Sequence, residues 1–117
     1  MDLDGALAAH ADWKIKLRAA IDNHENIDVA KLSKDNCCAF GMWLHGEAKQ
    51  KLAQFKAYPV CVEAHAGFHR EAGKVGQLIN QQKYEEARKA LGFGSAYGTA
   101  SSGVGVAIQR LKKESGL

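Results

Sequence analysis

Residues 59–80 read PVCVEAHAGFHREAGKVGQLIN, and the fold class turns on the period of that stretch. Cys61, His65, Phe68, Ala72, Val75 and Ile79 recur at three- and four-residue steps, so on a helix they form one stripe, with His69 flanking it one turn beyond His65. Pro59 suits the first turn of such a helix, where a backbone N–H has no partner to lose. The spacing predicts a long helix from Pro59 to about Asn80.

Working outward, residues 2–23 repeat Leu3, Leu7, His10, Leu17 and Ile21 at the same spacing, widened by Ala6 and Trp13 and interrupted by Lys14. This predicts an early helix fading near Asn23, with His10 on its buried stripe. Residues 24–35 mix polar side chains with Ile27, Val29 and Leu32 and read as a connection over the bundle end, with Ser33 or Asp35 as a cap for the next helix. Short helices are expected over Cys37–Leu44 and 47–57. After 80, Tyr84–Leu91 is helical by composition until Gly92 and Gly94 break it. A final helix is expected from near Ser95 to about Lys113, with Tyr97, Ala100, Val104, Ala107, Ile108 and Leu111 inward. Its small residues Gly98, Ser101, Ser102, Gly103 and Gly105 call for close packing, since each interior glycine costs a helix ~1 kcal/mol against alanine.

The expected fold is therefore all-α, a four-helix bundle with short additional helices in the connections. Its 117 residues suit one unit over 1–117, and a single proline among many Ala, Leu, Lys, Glu and Gln residues agrees with helix. Sixteen basic and 13 acidic side chains leave a net charge of +3 without a basic run, which gives nucleic acid little support. No leader-like N-terminus and no 18-residue apolar window occur, so no membrane contact is expected. Three cysteines, Cys37, Cys38 and Cys61, are an odd count with two adjacent, which fits a reducing cytoplasm better than a disulfide framework.

The candidate chemistry is metal binding. His65 and His69, one turn apart, can aim two imidazoles at a common point, and His10 is an imidazole on an apolar stripe that needs a partner. A cysteine would complete zinc's tetrahedral shell with three histidines and leave no open position. Spacing leaves the cysteine undecided: on a helix Cys37 and Cys38 point about 100° apart, while Cys61 lies one turn before His65. His24 and His45 read as solvated, and Trp13, Phe40, Trp43, Phe68 and Tyr97 as core. Asp12, Asp35 and Glu63 are each candidates to orient an imidazole.

Cys38-Ala39-Phe40-Gly41-Met42-Trp43-Leu44 resembles the C-x-[LF]-G-x-W-[LI] signature of the chemoreceptor zinc-binding domain family, and His65-Ala66-Gly67-Phe68-His69 resembles its H-x-x-x-H segment. His10 in an early helix, Ser95-Ala96-Tyr97 and Ser101-Ser102 before Leu111 extend the similarity over nearly the whole chain. The resemblance implies that Cys38 is the thiolate ligand, giving a zinc site of His10, Cys38, His65 and His69. It also implies a helical bundle, often a homodimer, that regulates bacterial cytoplasmic chemoreceptors or diguanylate cyclases. Most members are attached to such an output domain, whereas these 117 residues contain none. Oxidant sensing, for example of hypochlorous acid through the zinc-bound cysteine, is a further implication.

The expected function is thus a zinc-binding sensory domain and not an enzyme. The alternative is a zinc metalloenzyme in which His10, His65 and His69 hold the metal with a water. It needs a general base beside an open cleft, and no carboxylate is obviously placed for one. A di-iron bundle would need Glu-x-x-His arrangements, and none occurs.

Overall fold

The computed structural model describes residues 1–117 as seven helices and no strand: α1 (Leu3–Asn23), α2 (Val29–Leu32), α3 (Ala39–His45), α4 (Glu47–Lys51), α5 (Ala57–Asn80), α6 (Tyr84–Ala90) and α7 (Ala96–Ser115). The all-α bundle is as expected. Helices α1, α5 and α7 pack along one another with the short α6 against α1 and α5, and α2–α4 lie in the connection between α1 and α5. None of the helices is long and apolar enough to cross a membrane.

Local chemistry sets the ends. The Asp2 side chain accepts from the Gly5 N–H to start α1, and Ser95 does the same for Gly98 in α7. Helix α5 begins at Ala57, two residues before Pro59, and lacks a side-chain cap of its own. Glu114, near the end of α7, supplies one by accepting the Ala57 N–H at 3.1 Å. That bond also shows that α7 runs antiparallel to α5. At the other pairing, Lys112 Nζ lies 2.8 Å from both carboxylate oxygens of Asp4, so α7 runs antiparallel to α1 as well. Helices α1 and α5 are consequently parallel, which brings His10 level with the His65–His69 turn.

The apolar stripes meet as the periodicity requires. Leu17 and Ile21 from α1, Phe68 and Ile79 from α5, and Ile108 and Leu111 from α7 are fully buried together. Leu44 and Leu91 close the core from the short helices and their ends. Trp13 and Trp43 are half-buried at its edge, and Ala100 is half-buried also.

Several local expectations change. The connection over 24–35 contains a turn of helix, α2, capped by the Asp28 side chain. The expected helix over 47–57 is confined to Glu47–Lys51. Neither Ser33 nor Asp35 caps α3; the cap is the sulfur of Cys38, which accepts the Gly41 N–H at 3.2 Å. Of the α7 glycines, Gly105 faces Leu7 of α1 closely and Gly98 faces the Gly92 carbonyl, but Gly103 faces open space, so packing does not account for it. The tighter approach is on α5. A Cβ at Gly73 would stand 2.1 Å from Ser33 Oγ, and one at Gly76 would press on Val29 and Ile27, so these glycines let the α2 segment lie against α5.

Candidate metal centre

Parallel packing of α1 on α5 places three imidazoles in one buried spot. His10 is 4% exposed, His65 fully buried and His69 2% exposed. Phe40 and Phe68 wall them edge-on, with ring centroids 5.0–5.6 Å from their histidine neighbours. Cys38 enters from the N-terminus of α3, where an extended backbone turns its sulfur inward.

Two imidazoles are oriented by backbone. His10 Nδ1 lies 2.7 Å from the Ala6 carbonyl oxygen, and His69 Nδ1 lies 2.8 Å from that of Leu32. A carbonyl only accepts, so both Nδ1 atoms carry the proton and both Nε2 atoms present lone pairs. His10 Nε2 is buried with no hydrogen-bond partner. The Nε2 atoms of His65 and His69 are 3.0 Å apart, and Cys38 Sγ lies 3.3 Å from the first and 3.6 Å from the second. His65 Nδ1 has no partner.

Ligand atoms of His10, Cys38, His65 and His69 all lie within 4.8 Å of one another. For metal–nitrogen bonds of ~2.0 Å and a metal–sulfur bond of ~2.3 Å, a tetrahedron sets nitrogens ~3.3 Å apart and nitrogen and sulfur ~3.5 Å apart. The three distances among Cys38, His65 and His69 match those edges to within a few tenths of an ångström, and the unpartnered His10 Nε2 is the free fourth donor. The residues therefore fit a tetrahedral cation.

The electrostatics agree. Burial holds His65 down to about 3, reinforced by the neighbouring His69 and His10, so it is neutral and able to donate a lone pair. Burial lowers His10 and His69 as well, opposed by their bonds to Ala6 and Leu32. Burial raises the Cys38 thiol, opposed by the amides of Gly41, Cys38 and Phe40. A cation in the cluster would reverse that preference and hold the sulfur as thiolate.

The remaining candidates fall outside. Cys61 is fully buried in the core and its thiol is pushed up to about 12 by burial. Cys37 is half-buried next to Asn36 and does not join the cluster. His45 is exposed and pairs with Asp35 at 2.8 Å. His24 is exposed and stacks on Tyr84, with centroids 4.1 Å apart. None of Asp12, Asp35 and Glu63 hydrogen-bonds a buried imidazole. Asp35 acts at longer range, its charge favouring the protonated forms of His65 and His69. The orienting groups are the Ala6 and Leu32 carbonyls, which no side-chain pattern marks. His10 does lie four residues after Ala6, within reach of its carbonyl on a helix.

Fold and cluster together define a helical-bundle metal-binding domain. The chain belongs to the chemoreceptor zinc-binding domain family, whose pattern matches residues 10–75 and so takes in all four clustered residues. No curated protein and no solved structure matches the chain.

Proposed function

We propose that His10 Nε2, Cys38 Sγ, His65 Nε2 and His69 Nε2 hold one zinc ion, and that the chain is a cytoplasmic regulatory domain reporting on that site. The observation that carries this reading is the convergence of four ligand atoms within 4.8 Å, one of them a buried nitrogen with no other partner. Zinc would supply a closed tetrahedral link among three separate helices. Four protein ligands leave no position for substrate, so the site is regulatory and not catalytic.

The chain's own groups prepare this state. His10 and His69 keep their protons on Nδ1 against Ala6 and Leu32. His65 has no such anchor. Without metal it can donate Nε2–H to His69 Nε2 across 3.0 Å, and to serve as a ligand it moves that proton to Nδ1. Ligands from α1, the start of α3 and α5 would then be tied into one body when the ion is bound. Structural zinc sites contribute on the order of 10 kcal/mol of apparent free energy near neutral pH, enough to make occupancy and helix order one linked equilibrium.

A homodimer would carry that change to an attached or associated chemoreceptor or diguanylate cyclase output domain. Ile15 of α1 and Val106 of α7, 69% and 65% exposed, are apolar side chains left facing solvent and free to meet a second copy. Oxidants form a second input. Hydrogen peroxide or hypochlorous acid would transfer an OH group to the Cys38 thiolate: an S–O bond forms, the O–O or O–Cl bond breaks, and hydroxide or chloride leaves with the electron pair. The resulting sulfenic acid is a poorer ligand, so oxidation weakens the metal's hold.

The test is metal analysis and zinc competition on the purified chain beside Cys38→Ala, His65→Ala and Cys61→Ala. One zinc per chain is expected in the wild type and Cys61→Ala, with a large loss in the other two. Full, undiminished zinc in Cys38→Ala together with loss in Cys61→Ala would refute the ligand set. An oxidant that changes helicity equally in wild type and Cys38→Ala removes the second input.

A further inference from the structure

The three histidines are sealed from solvent, but Cys38 is only half-buried, and the way to it is specific. A cleft of about 390 Å³ opens between α1 and the 26–38 segment. Trp13, Ile27 and Leu32 form its apolar walls, the exposed Asn26, Asp28 and Lys31 its outer rim, and Cys38 and His69 its inner end. Cys37 borders this cleft and also a separate, open polar groove beside Lys34, Arg70 and Lys74. Two adjacent thiols therefore have different approaches. Cys37 can be reached through water along charged side chains, whereas Cys38 lies at the inner end of the apolar-walled cleft.

The Ile27 wall is held in place by backbone. Asn80, at the end of α5, accepts the Ile27 N–H at 2.7 Å through Oδ1 and donates to the Ile27 carbonyl at 2.8 Å through Nδ2. The side chain of residue 27 can thus change while its position is kept.

We propose that this cleft is the access path to the metal centre and that its walls make Cys38 selectively reactive toward small uncharged thiol reagents and oxidants. Its biological meaning rests on the assignment of Cys38 as a ligand, but the selectivity is a property of the cleft itself. An ionic reagent must shed water to pass Trp13, Ile27 and Leu32, because the charged side chains of the cleft, Asp28 and Lys31, are exposed at its rim. An uncharged one of the same size does not. The path would admit a peroxide or hypochlorous acid and hold back ionic oxidants and chelators.

Size-matched methanethiosulfonates test this on the zinc-loaded full chain. The attacking sulfur forms an S–S bond to the reagent's alkyl-bearing sulfur, the S–SO₂ bond breaks, and methanesulfinate leaves with the electron pair. Rates for the neutral hydroxyethyl, anionic sulfonatoethyl and cationic trimethylammonioethyl reagents are read separately at Cys37 and Cys38 by peptide mass spectrometry, at substoichiometric reagent. The neutral-to-charged rate ratio at Cys38 should exceed that at Cys37 by about ten-fold or more for both ions, because each must be desolvated in an apolar passage.

Ile27→Trp should slow every reagent at Cys38 far more than at Cys37, which keeps its second approach from the polar groove. Trp13→Ala, which widens the opposite wall, should raise the charged rates at Cys38 and guards against misfolding of the first variant. Equal ratios at the two cysteines, or Cys38 rates indifferent to both substitutions, overturn the proposal. Equal ratios with one zinc bound sink the cleft and spare the metal assignment. Absence of zinc sinks the metal assignment, and the ratio measured in that protein still decides the cleft.

Discussion

Replacing Gly41 by alanine adds one carbon where the chain leaves no room for it. A Cβ there stands 1.8 Å from the Asp35 carbonyl oxygen, 2.8 Å from its carbonyl carbon and 3.1 Å from His65 Cε1. The first two are backbone atoms, so no rotamer change relieves them. Either the turn before α3 or α3 itself must move by more than ~1 Å to restore an ordinary contact. Such overpacking costs ~1–3 kcal/mol, and alanine recovers up to ~1 kcal/mol of it through its better helix propensity. A net loss of ~1–2 kcal/mol lowers Tm by roughly 3–10 °C in a chain of this size. The metal centre suffers with it, because Cys38 Sγ is bonded to the Gly41 N–H at 3.2 Å and moves when α3 moves. Zinc affinity should fall by about ten-fold or more, the scale found when groups that position ligands are lost. Gly103→Ala is the control. No atom lies within 4 Å of a Cβ there, so it should stabilise the chain by ~0.4–1 kcal/mol. Thermal unfolding by circular dichroism and a zinc competition titration read both variants. A Gly41→Ala chain that melts at or above the wild type with unchanged zinc affinity refutes the close approach of Asp35.

Acid should destabilise the metal-free chain. Unfolded histidine takes up a proton below about 6.5, whereas burial holds folded His65 at about 3, so the unfolded state binds more protons between these values. The contribution of His65 is complete above about pH 7 and is lost by up to ~1.4 kcal/mol per unit as pH falls from 6.5 toward 3, with His10 and His69 shifted in the same direction. Melts of chelator-treated protein at pH 7.5 and 5.5 check the sign, and equal Tm values would contradict it. Protons also compete with metal for imidazole and thiolate, so zinc should be released over the same acid range. Asn80→Ala removes both bonds to Ile27 and should cost ~1–2 kcal/mol, with hydrogen exchange at the Ile27 amide faster than in the wild type. An Ile27 amide that keeps its protection would show that Asn80 does not anchor the segment. Phe68→Ala, in the wall behind His10 and His69, should lose ~3–5 kcal/mol, and a denaturant midpoint close to wild type would mean that the core is not closed there.

The long helices were legible because their signal is local and repeated. The stripe from Cys61 to Ile79 needs only the 3.6-residue period, and it appears in α5 with every named member buried. His10, His65 and His69 were legible as inward residues for the same reason. The short elements were not, because a single turn has no period and depends on what it leans against. Helix α3 is capped by Cys38, a residue type with no strong capping preference, and α4 stops at Lys51 although the residues after it are compatible with helix by composition. The orienting groups were hidden for a different reason. They are the Ala6 and Leu32 carbonyls, and every residue carries a carbonyl. Acidic side chains were the visible candidates, and none of the three makes that bond.

By itself the amino-acid sequence determined the helical class and the inward faces of the three histidines, and its family signature pointed to Cys38 as the thiolate to join them. These rest on periodicity and residue chemistry, which are written along the chain. Only the tertiary structure decided that α1 runs parallel to α5, bringing His10 level with His65 and His69. It also decided that Gly73 and Gly76 admit the α2 segment, which delivers the Leu32 carbonyl to His69 Nδ1. Those relations join residues up to 59 positions apart, such as His10 and His69, and depend on how closely two backbones can approach, a distance no local pattern encodes.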